Sequence, residues 1–241
     1  LFLRCKFTKF ILNFSSRNKR SVTEQRKMTS FNPQEIETIV FDFGGVLLNI
    51  DFLKTIKAFE ELGVASFTEQ YSAHIQAPLF RDLETGKITP QQFREGLRVL
   101  LGKSISDSDL DKAWNALLLD MPDERVTLLE KAKKHYRLFL LSNTNIIHYQ
   151  KYNTEFNNRY GKDLDDLFEK AYWSFQIEMR KPNLEIYSHV VNSSHLNASK
   201  TLFIDDSLLN ITSANECGMN GYHLLQDVKN LFNEEGKLKD R

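Results

Sequence analysis

The chain alternates between short apolar segments and longer segments with helical periodicity. Five segments are rich in apolar residues, the third less so than the others: residues 38–43, 137–141, 170–175, 201–204 and 221–225. Strands buried on both faces of a parallel sheet have this near-continuous apolar character. Helix-type spacing separates them, over residues 123–135, 183–193 and 208–217. This alternation predicts an α/β fold with a doubly wound, Rossmann-like parallel sheet.

A long segment separates the first two predicted strands. Its apolar residues recur at helical spacing, as at Phe93 and Leu97, and it lacks the alternating β-branched runs of strands. A crossover connection between parallel strands needs only about a dozen residues. We therefore predict a small all-helical cap domain over residues 52–119, inserted into a core formed by residues 33–51 and 120–241.

The two ends of the chain differ in composition from its body. Residues 1–27 are rich in Lys and Arg, have Glu24 as their only acid, and contain no apolar run long enough for a membrane span. We predict that residues 1–32 are a leader that is disordered or not native, with Met28 as the true initiator. A basic targeting segment is the alternative. The charged residues 233–241 are expected to fray.

Composition and charge restrict the partners of the protein. Its 32 Lys and Arg residues balance 32 Asp and Glu residues, whereas binders of nucleic acid or anionic membranes usually carry a basic excess. Cys5 and Cys217 form no CxxC pair, and no two histidines have the spacing of metal ligands, so no zinc site is indicated. We expect a soluble, cytoplasmic monomer or weak homodimer that binds neither nucleic acid nor membrane.

Asp42 lies at the end of the first predicted strand, shortly before Gly44 and Gly45. In a doubly wound sheet, ligands bind beyond the carboxyl ends of the strands, so Asp42 is expected to point into that crevice. Glycines allow a sharp turn and close approach of the backbone to a ligand. Asp also commonly closes a strand-to-loop turn, and this motif alone does not separate the two interpretations.

Uncharged and cationic groups follow the next strands. Ser142 and Asn143 end the second strand and offer donors for phosphoryl oxygens, although both residue types also cap helices. Lys181 precedes Pro182, and Pro is favoured at the first position of a helix. We therefore predict that Lys181 lies beside a helix N-terminus, where backbone amides also attract anions. An isolated Lys is more commonly a solvated surface residue.

Asp205 and Asp206 end the fourth predicted strand. Two adjacent carboxylates repel each other, so a bound cation is a natural compensation, and hard oxygen ligands next to a phosphate suit Mg²⁺. A capping Asp beside a turn Asp is the simpler interpretation of this pair alone. All four motifs fall at the same end of successive strands. Together they supply a nucleophile, polar donors, a cation and an acid pair, as phosphoryl transfer through an aspartyl intermediate requires.

Residues 39–225 resemble the haloacid dehalogenase (HAD) superfamily of hydrolases with a helical, C1-type cap. The segments around Asp42, Ser142, Lys181 and Asp205 carry the resemblance. More narrowly, these segments resemble the bacterial sugar-phosphatase branch, such as the α-D-glucose-1-phosphate phosphatases. The resemblance implies a Mg²⁺-dependent phosphatase that hydrolyses a small phosphorylated metabolite, in this branch a sugar phosphate.

The resemblance also assigns roles to the motif residues. It implies metal ligands at Asp42, at Gly44 through its carbonyl oxygen, and at Asp205 and Asp206, and phosphoryl-binding groups at Ser142, Asn143 and Lys181. Asp206 would bind the metal directly, and Asp205 directly or through water. Asp42 would also be the nucleophile that forms an aspartyl-phosphate, and Lys181 would stabilise the charge that develops during transfer.

Gly44 stands where the family usually has a second Asp, the general acid and base. Such catalysis contributes about a hundred- to ten-thousand-fold in rate. A good leaving group, such as the anomeric oxygen of a sugar 1-phosphate, would reduce the need for it. Alternatively, another carboxylate such as Asp51 enters the site. Arg81, Asp82 and Glu84 flank a turn of the cap and are candidates to face the crevice, although each is also ordinary for a solvated helix end.

Two other functions are compatible with these residues. A metal-free haloacid dehalogenase also uses an Asp nucleophile, but it has no need for Asp205 and Asp206 together. With Gly44 in place of the acid, the chain is also compatible with a weakly catalytic phosphate-binding or regulatory module. Retention of Asp42 argues against such a module, because binding alone requires no nucleophile.

Overall fold

A computed structural model describes residues 31–64 and 78–240. Five parallel strands form one sheet in the order β3-β2-β1-β4-β5. The strands are β1 (Thr38–Phe41), β2 (Arg137–Ser142), β3 (Lys170–Trp173), β4 (Thr201–Asp205) and β5 (Asn220–His223). The predicted doubly wound parallel sheet is therefore confirmed. Residues 1–30 of the predicted leader lie outside the described residues, so that assignment stays a prediction.

Nine α-helices lie within the described residues. They are α1 (Phe52–Glu61), α2 (Pro78–Glu84), α3 (Pro90–Leu101), α4 (Asp107–Asn115), α5 (Asp123–Ala132), α6 (Ile146–Tyr160), α7 (Ser174–Ile177), α8 (Leu184–Ser193) and α9 (Leu208–Glu216). Short 3₁₀ helices span Pro33–Glu35, Leu164–Leu167, Ala198–Lys200 and Val228–Leu231. In the described part of the chain, no helix is both long enough and apolar enough to cross a bilayer.

Both faces of the sheet are buried. Val40, Phe139 and Phe203 belong to one apolar cluster, whereas their sequence neighbours Phe41 and Leu140 belong to a second cluster on the opposite face. Because successive side chains of a strand point to opposite faces, a strand covered on both sides needs apolar residues at every position. This explains the continuous apolar runs that made these strands recognisable.

The order of the strands reverses next to β1. Strands β2 and β3 lie on one side of it, and β4 and β5 on the other. Phe41 pairs with Ile204 in the ladder, and the Asp42 N–H donates to the Ile204 carbonyl oxygen at 2.9 Å. The carboxyl ends of β1 and β4 therefore lie side by side at the switch point, where ligands bind in open α/β sheets.

The regular elements described within the inserted segment are helices α1 to α4, joined by turns and loops. Its two connections to the core run alongside each other, because Ile50 and Leu118 form an antiparallel bridge and Asn49 exchanges backbone hydrogen bonds with Leu119 and Asp120. The helical character predicted for the cap is thus confirmed, and the proposed boundaries at residues 51/52 and 119/120 stay a prediction.

The C-terminal segment was expected to fray but is held on the core. Leu238 is buried and its N–H donates to the Tyr136 hydroxyl at 3.0 Å. The Lys239 N–H donates to the Leu231 carbonyl oxygen at 2.9 Å, and Leu238 forms a bridge with Phe232. One apolar anchor within a charged sequence is enough to hold this segment on the core.

Candidate active site

Asp42 is placed at the switch point by the end of β1. Its Oδ1 accepts from the Phe43 N–H at 2.7 Å and lies 2.8 Å from the Lys181 Nζ, and only 8% of the residue is exposed. Burial raises the pKa of Asp42 to about 7, although the Lys181 ammonium acts in the opposite direction. A bound cation would favour the charged form of this carboxyl.

Lys181 is buried rather than a solvated surface residue. Its Nζ lies 2.8 Å from Asp42 and 2.7 Å from Asp205, with 1% of the side chain exposed. Burial acts to lower the pKa of Lys181, but the two carboxylates outweigh it, and the net pKa is raised. The ammonium therefore stays charged between the two acids.

The backbone of Lys181 is held by Asn143. The Asn143 Nδ2 donates to the Lys181 carbonyl oxygen at 2.9 Å, and the Asn143 Oδ1 accepts from the Lys181 N–H at 2.9 Å. Asn143 thus positions the Lys181 cation. The phosphoryl contacts expected of Asn143 and of the buried Ser142 stay predictions. The helix predicted over residues 183–193 is present as α8, but Pro182 is not its first residue, because α8 begins at Leu184.

The two acids after β4 have different surroundings. Asp205 is fully buried, and its oxygens accept from the Ser207 N–H at 2.7 Å, the Asn210 Nδ2 at 3.0 Å and the Lys181 Nζ at 2.7 Å. Asp206 is exposed and its carboxylate lies against Gly45, where an added Cβ would overlap Asp206 Oδ2. Asp205 therefore mainly orients Lys181, whereas Asp206 is available to a ligand.

This cluster fits a divalent cation. One carboxylate oxygen from each of Asp42, Asp205 and Asp206 lies within 4.8 Å of the others. Octahedral Mg²⁺ holds its oxygen ligands at about 2.1 Å, which places pairs of ligands about 3–4 Å apart. Three ionised carboxylates and the Lys181 ammonium leave two negative charges uncompensated, and one divalent cation would balance them.

A cleft of about 300 Å³ lies between cap and core, and none of the four charged residues of this cluster lines it. Its lining includes Gly44, Ser142, Asn143 and Arg180 from the core and Phe80, Arg81, Glu84 and Trp114 from the cap. Within the described residues, neither Asp82 nor Asp51 lines it. Asp51 instead caps α1, with its Oδ1 accepting from the Leu53 N–H at 3.0 Å. The structure therefore offers no support for Asp51 as the missing acid and base.

The end of α2 is fixed to the core. Glu84 Oε2 lies 2.7 Å from Arg180 Nε, and the Glu84 carbonyl oxygen lies 2.7 Å from the Ser174 hydroxyl. Gly86 has a left-handed φ of 67°, and an added Cβ would overlap the Phe175 carbonyl oxygen. Burial raises the pKa of Glu84, although the charge of Arg180 opposes this.

Several site residues had no role in the sequence motifs. Asn210 lies in the first turn of α9 and reaches back to Asp205, and His148 lines the cleft from α6. Helix α6 itself was not predicted, and its N-cap is Asn145 rather than Ser142 or Asn143. A polar residue one turn into the helix after an acid pair is the only sequence signal for Asn210.

Fold and site together define a class of α/β proteins in which the first strand ends in a buried Asp, beside a buried Lys and two further carboxylates. A model of the haloacid dehalogenase-like hydrolase family matches residues 36–218, and the chain belongs to this family. The predicted superfamily, its fold and the prediction of a hydrolase are thereby confirmed.

Three proteins illustrate what the chain is similar to. A D-ribitol-5-phosphate phosphatase from Bacteroides thetaiotaomicron is 35% identical over 76% of this chain and 89% of its own length. A crystal structure of a HAD-family enzyme from the same species, in complex with magnesium and inorganic phosphate, has 36% identity and a TM-score of 0.77, over 82% of this chain and 100% of that chain. An L-2-haloacid dehalogenase from Xanthobacter autotrophicus has 18% identity and a TM-score of 0.54, over 77% and 76%. The last comparison shows the shared fold alone.

Proposed function

We propose that this protein is a Mg²⁺-dependent phosphatase that hydrolyses a small phosphorylated sugar or sugar alcohol through an aspartyl-phosphate. The observation that carries this proposal is the cluster at the switch point, where Lys181 joins Asp42 to Asp205 and three carboxylate oxygens lie within 4.8 Å of one another. The relative that acts on D-ribitol 5-phosphate and the neighbour that holds magnesium and phosphate support it.

In the proposed reaction, Asp42 attacks the phosphorus atom and the leaving oxygen departs on the opposite side. Water then hydrolyses the aspartyl-phosphate and restores the Asp42 carboxylate. Lys181 stabilises negative charge on the phosphoryl oxygens, and Ser142 donates to them. When bound by Asp42, the Gly44 carbonyl oxygen and Asp206, Mg²⁺ would supply further charge neutralisation, with Asp205 acting through Lys181 or a water molecule.

The cleft suits a small polar leaving group. Its volume of about 300 Å³ is at the lower end for ligand sites. Arg81, Glu84 and Arg180 offer both donors and acceptors for hydroxyl groups, and Phe80 and Trp114 offer apolar surface. These features favour a phosphorylated polyol over a bulky or wholly apolar ester. The narrower expectation of an α-D-glucose 1-phosphate substrate stays a prediction.

A phosphate-release assay with phosphorylated sugars and sugar alcohols tests this proposal. The wild-type protein should release phosphate with Mg²⁺ and lose this activity in EDTA, and Asp42→Asn should be inactive under both conditions. The same preparation is also given 2-chloropropionate. Chloride release that survives EDTA, without phosphatase activity, would establish a metal-free dehalogenase instead. Phosphate binding without turnover of any ester would establish a binding module.

A further inference from the structure

The loop after β1 does not provide the acid that the reaction needs. Gly44 stands at that position, and a Cβ built on Gly44 would lie 3.4 Å from the Ile50 Cδ1. An apolar side chain therefore borders the space in which a carboxylate would begin. A hydroxyl leaving group nevertheless requires a proton, because an alkoxide is a poor leaving group.

We propose that Glu84, on cap helix α2, is the general acid and base of this enzyme. This inference rests on the phosphatase function proposed above. It replaces a carboxylate normally carried by the core with one that the cap brings to the cleft. Glu84 would contact the leaving oxygen in the first step and the attacking water in the second.

The position of Glu84 supports this role. It lines the same cleft as Gly44 and Ser142. The Glu84 carboxylate lies 2.7 Å from the Arg180 Nε. The next residue, Lys181, contacts Asp42 at 2.8 Å. Because attacking and leaving oxygens lie roughly in line across the phosphorus, a group attacked by Asp42 from the core departs on the cap side.

The core also holds the end of α2, and with it Glu84, in place. The Ser174 hydroxyl lies 2.7 Å from the Glu84 carbonyl oxygen, and the turn at Gly86 is pressed against Phe175. A general acid has to stay within hydrogen-bond reach of the proton that it transfers. These contacts fix the end of α2 on the core in the arrangement that brings the carboxylate to the cleft.

Among the described residues that line the cleft, the other ionisable groups are less suited to this role. Arg81 and Arg180 are permanent cations. His148 is buried, donates from Nε2 to the Trp114 carbonyl oxygen at 3.2 Å, and has its pKa lowered to about 4, so it is neutral at pH 7. Burial raises the pKa of Tyr152 well above its usual value. Glu84 is the only carboxyl group in this set.

The charges around Glu84 suit both halves of the cycle. Burial raises its pKa, which favours the proton-donating form, whereas Arg180 and Lys181 stabilise the carboxylate that remains after donation. Arg81 lies on the same helix, one turn before Glu84, and also lines the cleft. A carboxyl balanced in this way can both release a proton and take one back.

The two steps balance as follows. In the first, a bond forms between Asp42 and phosphorus, the bond from phosphorus to the leaving oxygen breaks, and that oxygen takes the Glu84 proton. In the second, the Glu84 carboxylate removes a proton from water as the water oxygen bonds to phosphorus. The bond from Asp42 to phosphorus breaks, phosphate leaves, and both side chains return to their starting forms.

The test compares an alcohol leaving group with an aryl leaving group in Glu84→Gln. Steady-state turnover of a sugar or polyol phosphate should fall by about a hundred- to ten-thousand-fold, the range of general acid–base catalysis. With p-nitrophenyl phosphate, whose leaving group needs no proton, Glu84→Gln should still release a rapid burst of nitrophenolate close to one per active site. Slow turnover follows the burst, because hydrolysis of the aspartyl-phosphate still lacks its base.

Two variants separate acid–base chemistry from positioning. Asp82→Asn removes the neighbouring carboxylate on α2, which does not line the cleft, and should keep wild-type rates on both esters. Arg180→Gln removes the partner of Glu84 but leaves the acid, so the ratio of polyol-phosphate turnover to the rate of the nitrophenolate burst should stay near that of the wild type. Circular dichroism and melting temperatures confirm that each variant is folded.

Three results would overturn the role of Glu84. The first is full activity of Glu84→Gln on the polyol phosphate. The second is an equal loss, in Glu84→Gln, of the nitrophenolate burst and of polyol-phosphate turnover. The third is an Arg180→Gln variant whose ratio of polyol-phosphate turnover to burst rate equals that of Glu84→Gln. In each case Mg²⁺-dependent phosphate release by the wild type and Asp82→Asn would leave the phosphatase function intact. Failure of the wild type on every ester would refute that function itself.

Discussion

Replacement of Lys181 by Met tests the buried charge arrangement of the site. Met has a similar length and fills the same space, but it leaves Asp42 and Asp205 without their shared cation, which now lies 2.8 Å and 2.7 Å from them. Removal of one partner from a buried ion pair costs about 3–5 kcal/mol. For a chain of this size each kcal/mol corresponds to about 2–4 °C, so the melting temperature should fall by about 6–20 °C.

The size of this loss should depend on pH. Burial already raises the pKa of Asp42 to about 7, and removal of Lys181 raises it further. Below about pH 7 the folded wild type and the folded variant both retain the Asp42 proton, so Asp42 adds little to the difference between them. Above about pH 7 the folded wild type loses this proton while the folded variant retains it, so the destabilisation of the variant relative to the wild type grows until the folded pKa of the variant is passed.

The assay is thermal unfolding of the wild type and Lys181→Met in EDTA, at about pH 5 and about pH 8. Lys57→Met, which removes an exposed lysine from α1, is the matched control and should change the melting temperature little at either pH. The difference between wild type and Lys181→Met should be larger at the higher pH. Equal melting temperatures, or a loss that does not change with pH, would show that Lys181 does not stabilise a buried, charged Asp42.

Three further predictions concern the metal and the cation. Mg²⁺ at about a hundred times its Kd should stabilise the wild type by about 2.7 kcal/mol, which raises its melting temperature by about 5–10 °C. Asp206→Asn should lose most of this shift in thermal-unfolding assays, and a full shift would contradict Asp206 as a ligand. Gly45→Ala should weaken Mg²⁺ binding by displacing Asp206, whereas Gly102→Ala, which also has a positive φ but open space around it, should not; equal Mg²⁺ titrations would contradict this. Asn143→Ala removes two hydrogen bonds to the Lys181 backbone, each worth about 1 kcal/mol, so the melting temperature should fall by about 4–8 °C and kcat should also fall. An unchanged kcat would show that these two hydrogen bonds are not needed for catalysis.

The sheet and the positions of the charged motifs were predictable because they follow from strand patterning. The run around Val40 is apolar at every position, as burial on both faces requires. Parallel strands end at one edge of the sheet, so Asp42 and Asp205 were expected to meet there, and the β1–β4 pairing brings them together. This part of the site depends on topology, which repeated local patterns reveal.

Contacts between distant parts of the chain were not predictable in the same way. The pairing of Glu84 with Arg180 joins cap to core, and no spacing rule connects these two residues. The amide of Asn143 was expected to face a ligand but holds the Lys181 backbone, because an amide suits either partner equally. Asp51 was considered as an acid, yet its position at the start of α1 makes it a helix cap.

The central claim is that Asp42 is phosphorylated during turnover. The most direct measurement is rapid acid quenching of the enzyme while it hydrolyses a polyol phosphate with Mg²⁺, followed by proteolysis and mass spectrometry. We expect one added phosphoryl group on the peptide that contains Asp42, and none in Asp42→Asn or in EDTA. Phosphate release by an enzyme whose Asp42 stays unmodified, together with an active Asp42→Asn variant, would contradict it.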